Sequence, residues 1–560
     1  MFINKVKIIN YRCYKMFSIS LEQKMNIVVG DNEAGKSTIL EAVNLALTGY
    51  LNGRNIRNEL SQNLFNADVI KEYLDALNNR RDVVPPSIVV EIFFSPFENP
   101  ENPDAERHFR EMFRGQDNTD NDRTASGFMF IISFNELYSD ELQAMLGSGK
   151  PISSLPIEYY DVRWLTFAGK EITTKSIPIK SALIDSTSQP SYGSDPYLNH
   201  IVRNVLEPAD ISAVTQVHRH LRDEFRADEA IQAINQRIGE DKKLTDKSIS
   251  LSVEMVTKNA WLSSLVTELD AIPFSLVGKG EQSIVKTELA LLRRDAQRAG
   301  VIMIEEPENH LSHTKLNKLI EHISANHPEK QFIITTHSSF VANKLGLEHL
   351  HLLAEHRETT LTSLSEPTYK FFKTIAGYDT LRMILCKQAI LCEGDSDELV
   401  IQKYYKQSNG KLPIEDGIEV ISVGTSFLRF LEIAKKLNCR VAVVTDNDGE
   451  PAAKKKKYSD YLGDNQTENI KICIDWTVHE KEAYSGFEVL PDDFNYNTLE
   501  PAMVIANGLD RLNRILGTDY SDAGELLKHM HANKTECALK IFETEEEISF
   551  PAYMVVSSDL

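Results

Sequence analysis

The chain has 560 residues, 42% hydrophobic and 26% charged, a composition expected of a folded globular protein with about two to four domains. Lys and Arg number 61 against 82 Asp and Glu, and the net charge of −21 argues against nonspecific coating of nucleic acid while leaving room for a local basic channel. Six cysteines without a C-x-x-C pair speak against a disulfide framework or a zinc site and suit a reducing cytoplasm, and neither an export signal nor a bilayer-length apolar run is expected.

In chain order, "KVKIINYRCYKMFSISLEQKMNIVVG" predicts short strands in a meander that ends at Asn26–Val29. A helix is expected from about Ser37 to Thr48, with the apolar spacing of a buried face. "PPSIVVEIFFSP" and "GFMFIISF" read as strands, separated by a polar, Pro/Asn/Asp-rich helix with loose flanks. Residues 1–194 thus form the first α/β part. Residues 195–264 carry long helical patterns without strong strand signals, a helical insertion suited to dimerisation. The α/β pattern returns over 265–366, and a short helical linker follows at 367–386. Residues 387–560 open with "QAILCEGDSDELVIQKYYKQ", "IEVISVG", "FLRFLEIAKKLN" and "RVAVVTDND", strands and helices alternating as in a parallel sheet.

The first chemistry-bearing motif is "GDNEAGKST", Gly30 to Thr38, which fits G-x-x-x-x-G-K-[ST] between a strand and a helix. In that setting backbone N–H groups and the helix start cradle phosphates, Lys36 neutralises β/γ charge and the Ser37 hydroxyl takes Mg²⁺. Gly30, Asn32, Gly35, Lys36, Ser37 and Thr38 are therefore the expected ATP contacts. "VIMIEEPENHL" is a buried strand ending in Glu305, placed for a Mg²⁺-water ligand, and Glu306, placed to polarise the attacking water. Upstream, "GKGEQ" provides Gly278, Gly280 and Gln282 in a turn that opens a helix; downstream, "QFIITTHSSF" puts His337 just past another strand.

This order of motifs resembles ABC-type P-loop ATPases of recombination and chromosome maintenance. The resemblance implies that Gly278–Gln282 is the signature turn, that His337 is the switch histidine, and that two heads sandwich ATP in a homo-oligomer of at least two chains. "INYRCYK", with Arg12, also looks like the start of such heads, although a single arginine says little. The stretch between the two ATPase halves fits a modest helical insertion and is too short for very long coiled coils.

The second site lies at strand ends. "RVAVVTDND" delivers Asp446 and Asp448, on the same side if the chain stays extended, and "QAILCEGDSDE" delivers Glu393, with Asp397 in the first turn of the next helix. Parallel strands present such acids at their carboxyl edge, and clustered carboxylates become ligands when divalent ions are present. Strand-E-G-x-x-D followed by strand-D-x-D resembles the Rossmann-like Toprim domain of topoisomerases, primases and certain nucleases.

An ATPase head with a C-terminal Toprim domain resembles the OLD (overcoming lysogenization defect) nucleases, the family of the nuclease subunit of Gabija antiphage systems. That resemblance implies a distal acid and a lysine, for which Glu500 and Lys534 are the matches; an exposed helix acid and a solvated lysine are the plainer readings. It further implies an ATP-regulated endonuclease acting on double-stranded DNA with Mg²⁺ or Mn²⁺, in defence against invading DNA. An operon-encoded partner such as a helicase or reverse transcriptase is compatible with it. The family's paired glycines after the second Toprim strand are replaced by Gly424 and Thr425. The run Lys454–Lys457 reads as a mobile loop, either solvated or drawing phosphate towards the acids. The alternative function is an ATP-switched DNA-binding or repair clamp without cleavage. Primase and topoisomerase readings are weaker, since the sequence has no Cys/His cluster of ligand spacing and no tyrosine singled out as a nucleophile.

Overall fold

A computed structural model describes residues 1–30, 33–51, 54–79, 83–97, 102–147, 152–185, 206–240, 251, 268–292, 299–309, 314–315, 318, 321, 325, 329–337, 349–354, 356–360, 364–374, 382–383, 386, 388–480, 490 and 494–555. The chain forms two compact units, Met1–Val28 with Gly35–Thr336, and Val29–Ala34 with His337–Leu560.

The chain opens with β1 (Ile3–Tyr11), β2 (Tyr14–Ser20), β3 (Met25–Gly30), whose last two residues are assigned to the second unit, and α1 (Lys36–Thr48). Then come β4 (Ile88–Phe94), β5 (Ser126–Phe134), β6 (Tyr160–Thr166) and β7 (Ser181–Asp185). A helix at Pro103–Phe113 fills the polar stretch between β4 and β5, begun by the Asn102 side chain, which accepts from the N–H of Ala105 at 3.0 Å. Helices α2 (Pro208–Ala227), α3 (Glu229–Glu240) and α4 (Lys279–Leu292) precede β8 (Val301–Glu305) and β9 (Gln331–Thr336).

Two sheets organise these elements. One is antiparallel, in the order β2-β1-β4-β5-β6; its edge strand β6 alternates buried residues with exposed or half-buried ones, as a strand with one wet face does, while the central β4 is buried along nearly its whole length. In the other, β3, β9, β8 and β7 follow in that order, with β8 parallel to both its neighbours. Val301–Ile304 and all six residues of β9 are buried. Unbroken buried runs of this kind belong to parallel strands covered on both faces, so their carboxyl ends are the places where polar groups can emerge.

Within 195–264 the described residues are 206–240 and 251, and they hold α2 and α3. Helix α2 starts at Pro208, where the Asp210 carboxylate accepts the N–H of Glu207 at 2.9 Å. It leaves Val217, Leu221 and Phe225 exposed at a spacing of four, one apolar stripe along one face.

The second unit holds a parallel sheet of β10 (Gln388–Cys392), β11 (Ile418–Ser422), β12 (Arg440–Thr445) and β13 (Ile470–Ile474) in the order β11-β10-β12-β13. The crossovers are α5 (Asp395–Asn409), α6 (Phe427–Leu437) and α7 (Pro451–Lys457). Further on come α8 (Leu499–Asn507), α9 (Leu509–Leu516), α10 (Ala523–Ala532) and α11 (Lys534–Glu543), and they share one core with the sheet: Ile390 and Cys392 cluster with Met503, Leu527, Cys537 and Ile541. That core carries the starts of α8 and α11 to the sheet. Among the described residues no helix is long and apolar enough to cross a membrane.

Gly127 shows how closely the antiparallel sheet is packed. A Cβ there would stand 2.2 Å from the Ile92 carbonyl and 2.5 Å from the Phe167 ring. Gly127→Ala is therefore expected to destabilise the first unit by about 1–3 kcal/mol, read as a lower urea midpoint of its unfolding transition.

Candidate functional site

The order β11-β10-β12-β13 reverses direction between β10 and β12, so a crevice opens beyond the carboxyl ends of these two strands. Glu393 follows β10 directly and Asp446 follows β12 directly. The carboxylates of Glu393, Asp446 and Asp448 each place an oxygen within 4.8 Å of the others. Asp446 Oδ1 is buried and has no hydrogen-bond partner among the described residues. Burial, with repulsion from Asp448 and Asp397, pushes Asp446 up to about 8 despite the opposing charge of Lys454. An orphaned buried oxygen inside an all-carboxylate set is what a hard divalent cation such as Mg²⁺ or Mn²⁺ satisfies.

Asp397 stands one step back. Its Oδ2 accepts the N–H of Gly394 at 3.1 Å, so it caps α5 and fixes the turn that carries Glu393. Burial and the charges of Glu393 and Glu500 raise it to about 6, opposed by the Gly394 N–H and by Lys534. The Glu393 backbone is pinned from the other side: its carbonyl accepts Gly424 N–H at 3.1 Å and Ser422 Oγ at 3.2 Å. Gly424 has φ +56°, so a single glycine at this point makes the loop turn.

The two aspartates do not converge through an extended chain, as sequence periodicity suggests. Asp448 has φ +55° and Gly449 φ +84°, a left-handed turn that folds Asp448 back towards the cluster. Asn447, which the sequence reading passed over as the middle of D-x-D, ties this turn down. Its Nδ2 donates to the carbonyls of Asp475 and Thr477, both at 2.7 Å, and its Oδ1 accepts Gly449 N–H at 2.7 Å. Asn495 Nδ2 adds a bond to the Asp448 carbonyl at 3.1 Å. The sequence offered only an amide residue between two acids at a strand end, with no mark of the direction in which it points.

Glu500 lies in the first turn of α8, buried, and Lys534 is the first residue of α11. They pair with each other at 3.0 Å, and Thr498 Oγ1 donates to the second Glu500 oxygen at 3.2 Å. Neither belongs to the tight carboxylate cluster, although both act on the charge of Asp397. The lysine run is not a mobile loop. Lys454–Lys457 end α7, which Pro451 starts and whose C-terminal end favours cations. Lys454 Nζ meets Asp448 Oδ2 at 2.8 Å with only 12% of its side chain exposed.

In the first unit, Gly35 caps α1 at φ +96° and brings no side chain to the helix's first N–H groups, and the first turn holds no acid. A Cβ on Gly35 would stand 2.4 Å from the Tyr14 hydroxyl, so only glycine fits. Lys36 is buried, Ser37 exposed and Thr38 half-buried, while Gly30 ends β3 and Asn32 lies outside the described residues. This arrangement fits a phosphate chain at a helix N-terminus. Arg12, at φ +48°, is bound to Glu41 of α1 at 2.8 Å.

Glu305 ends β8. Glu306, at φ +41°, donates its N–H to the Thr335 carbonyl at 2.9 Å and accepts from Asn309 Nδ2 at 3.0 Å. His337 follows β9 and is exposed. Gln282 does not project as a ligand-binding side chain. It is buried, with Nε2 donating to the carbonyls of Phe274 at 2.7 Å and Val277 at 2.8 Å, so it shapes the turn whose exposed member is Gly278, with Gly280 half-buried.

Comparisons with known proteins agree with this division. A family model described as an AAA domain matches residues 5–331. One described as an overcoming lysogenization defect protein-like TOPRIM domain matches residues 384–448, which include Glu393, Asp397, Asp446 and Asp448 but not Glu500 or Lys534. The DNA replication and repair protein RecF of Clostridium beijerinckii is 44% identical over 43 residues, which is 8% of this chain and 12% of that protein. RecF of Bacillus thuringiensis is 40% identical over 43 residues, with the same shares of 8% and 12%. The chain thus spans only 12% of the length of these curated relatives.

Among solved structures, an Smc head bound to the C-winged helix domain of ScpA shows 14% identity and a TM-score of 0.31, over 65% of this chain and 99% of that one. An Smc head with an extended coiled coil, bound to the C-terminal domain of ScpA derived from Pyrococcus furiosus, shows 13% identity and a TM-score of 0.30, over 67% and 100%. Such likeness is too slight to carry an argument. Because the AAA-domain match takes in residues 5–331 of 560, the chain belongs to the AAA-domain family of P-loop ATPases, and it carries an overcoming lysogenization defect-like TOPRIM domain after it.

Proposed function

We propose that the chain is an ATP-binding and ATP-hydrolysing, divalent-metal-dependent endonuclease that cuts double-stranded DNA. The observation that carries this reading is the Glu393–Asp446–Asp448 cluster at the sheet's switch point, with its orphaned Asp446 oxygen. Glu393, Asp446 and Asp448 would hold Mg²⁺ or Mn²⁺, with Asp397 and Glu500 completing the acidic surround. The bound ions supply activation of water and stabilisation of the leaving oxygen. Lys534, held by Glu500, supports charge on the scissile phosphate.

On the ATPase side, Gly30, Asn32, Gly35, Lys36, Ser37 and Thr38 cradle the phosphates and Glu305 serves the metal. Glu306 orients water, and Gly278, Gly280 and His337 complete the site across two heads. The functional division is 1–194 and 265–366 for the ATPase, 195–264 for a dimerising insertion, 367–386 for a linker and 387–560 for the nuclease domain. The exposed stripe on α2 supports self-association. Similarity to Gabija-type nucleases, a cytoplasmic role in defence against invading DNA and an operon-encoded helicase or reverse transcriptase partner belong to the same proposal. A second reading, an ATP-switched DNA repair clamp without cleavage, has the short RecF likeness in its favour.

Supercoiled plasmid incubated with Mg²⁺ or Mn²⁺, with and without ATP, separates the two. Cutting by the wild type that disappears in Asp446→Ala is expected; DNA binding without cutting under all these conditions favours the clamp. Lys36→Ala is expected to lower ATP turnover about 10²-fold or more, measured by phosphate release; unchanged turnover sinks the P-loop assignment.

The metal reading has its own pH test. Asp446 is raised to about 8 in the folded chain against about 3.9 unfolded, so the folded state binds the extra proton between these values. Its contribution to stability is fully present below the unfolded value and is lost as pH rises through 8. A bound cation takes the proton's place. The rise in melting temperature caused by Mn²⁺ is therefore expected to be larger at about pH 8.5 than at about pH 6. Asp446→Asn should lose most of that rise and be more stable than the metal-free wild type at the higher pH.

A further inference from the structure

The four lysines of the run are not equivalent. On α7, Lys454 and Lys457 are one turn apart and half-buried, while Lys455 and Lys456 between them are exposed. Lys454 turns onto the acid cluster and bonds Asp448 Oδ2 at 2.8 Å, its stem covered so that 12% of the side chain remains exposed. Lys457 turns the same way. Its ammonium lies 3.5 Å from the Thr425 carbonyl, 5.6 Å from the centre of the Phe427 ring and 5.4 Å from that of Tyr458. Thr425 belongs to the loop whose Gly424 is bonded to the Glu393 backbone, so both ammonium groups border the acid cluster, from its Asp448 and Glu393 sides.

This is more than neutralisation of a surface acid. Asp448 is 50% exposed and in water would need no covered partner, and a lone exposed pair is worth little. One lysine also suffices for one carboxylate, yet a second follows at the next inward position. Lysine presents three N–H donors, and the bond to Asp448 uses one of those on Lys454. Two ammonium groups beside carboxylates that would hold a divalent cation form a surface that can take an anion. Their reach and their fixed spacing along one helix suit a phosphodiester backbone better than a single small anion.

We propose that Lys454 and Lys457 form a phosphate-binding subsite of the TOPRIM domain, taking the backbone of duplex DNA beside the Glu393–Asp446–Asp448 cluster, with Lys454 held in place by Asp448. The proposal rests on the nuclease reading for its substrate. Lys534 is a separate cation, tethered to Glu500 rather than to the cluster.

The test measures binding without cleavage. The full chain in Ca²⁺ is titrated against a short fluorescent DNA duplex over about 50–200 mM salt, as wild type, Lys454→Gln/Lys457→Gln, Lys455→Gln/Lys456→Gln and Lys454→Arg. The inward pair is expected to weaken binding by roughly tenfold or more and to reduce the salt slope by about 1.8, the loss of two phosphate contacts. The outward pair should change neither appreciably, and Lys454→Arg should keep wild-type affinity. Mn²⁺ binding without DNA and the melting temperature should be retained in the inward variant, which separates a subsite from a structural ion pair.

Equal losses in the inward and outward pairs would reduce the run to diffuse attraction and overturn the proposal. Unchanged binding in the inward pair, or no duplex binding by the wild type, would overturn it as well. Duplex binding that depends on Lys454 and Lys457, in a chain that cuts no plasmid, would uphold the subsite and remove the nuclease reading alone.

Discussion

Mutual repulsion of carboxylates is the constraint around which the second unit is built. Glu393, Asp446 and Asp448 bring oxygens within 4.8 Å of one another at the edge of a parallel sheet, and Asp397 adds to the field felt by Asp446. Charges so placed oppose folding unless a proton or a cation is gathered with them. The surrounding structure holds them in spite of this. Asp397 caps the helix after Glu393, Gly424 grips the Glu393 carbonyl, and Asn447 bonds two carbonyls of the neighbouring loop. The strands beneath are apolar and fully covered, so the sheet does not yield to relieve the repulsion.

Much of this arrangement was legible in the sequence because it is written in strand ends. Apolar runs such as "AILC" and "VAVVT" end abruptly in acids, and the parallel order they imply brings those acids to one edge. The P-loop was legible for a related reason, since a glycine whose Cβ would strike Tyr14 cannot drift and leaves a fixed pattern. What escaped depends on direction rather than residue type. The left-handed turn at Asp448, the inward Gln282 and the bridging Asn447 all turn on which way a side chain points, and a non-glycine residue at positive φ carries no sequence mark.

The helix that carries the lysine run escaped for the same reason. Four identical residues carry no periodicity, so the helical phase that turns Lys454 and Lys457 inward is invisible until the helix is seen. Glu500 and Lys534 were drawn from a family resemblance, and their distance along the chain from the strand-end acids hides that α8 and α11 start beside Asp397. Their proximity is a product of the shared core of helices and sheet.

The charge of the whole chain gives the local cations their weight. A net −21 repels a polyanion at long range, and salt screens that repulsion beyond about 8–10 Å. Inside that distance only neighbouring groups matter, and there the chain sets Lys454 against Asp448 of the acid cluster and Lys534 against Glu500. Lys454 and Lys534 are each tethered to an acid, so neither has to be ordered anew when an anion arrives, and the entropy of fixing a long side chain is already spent. An acidic protein arranged in this way does not hold nucleic acid by overall attraction. On the proposed reading, selectivity for a phosphate backbone would have to arise where the clustered carboxylates and the pre-placed lysines meet.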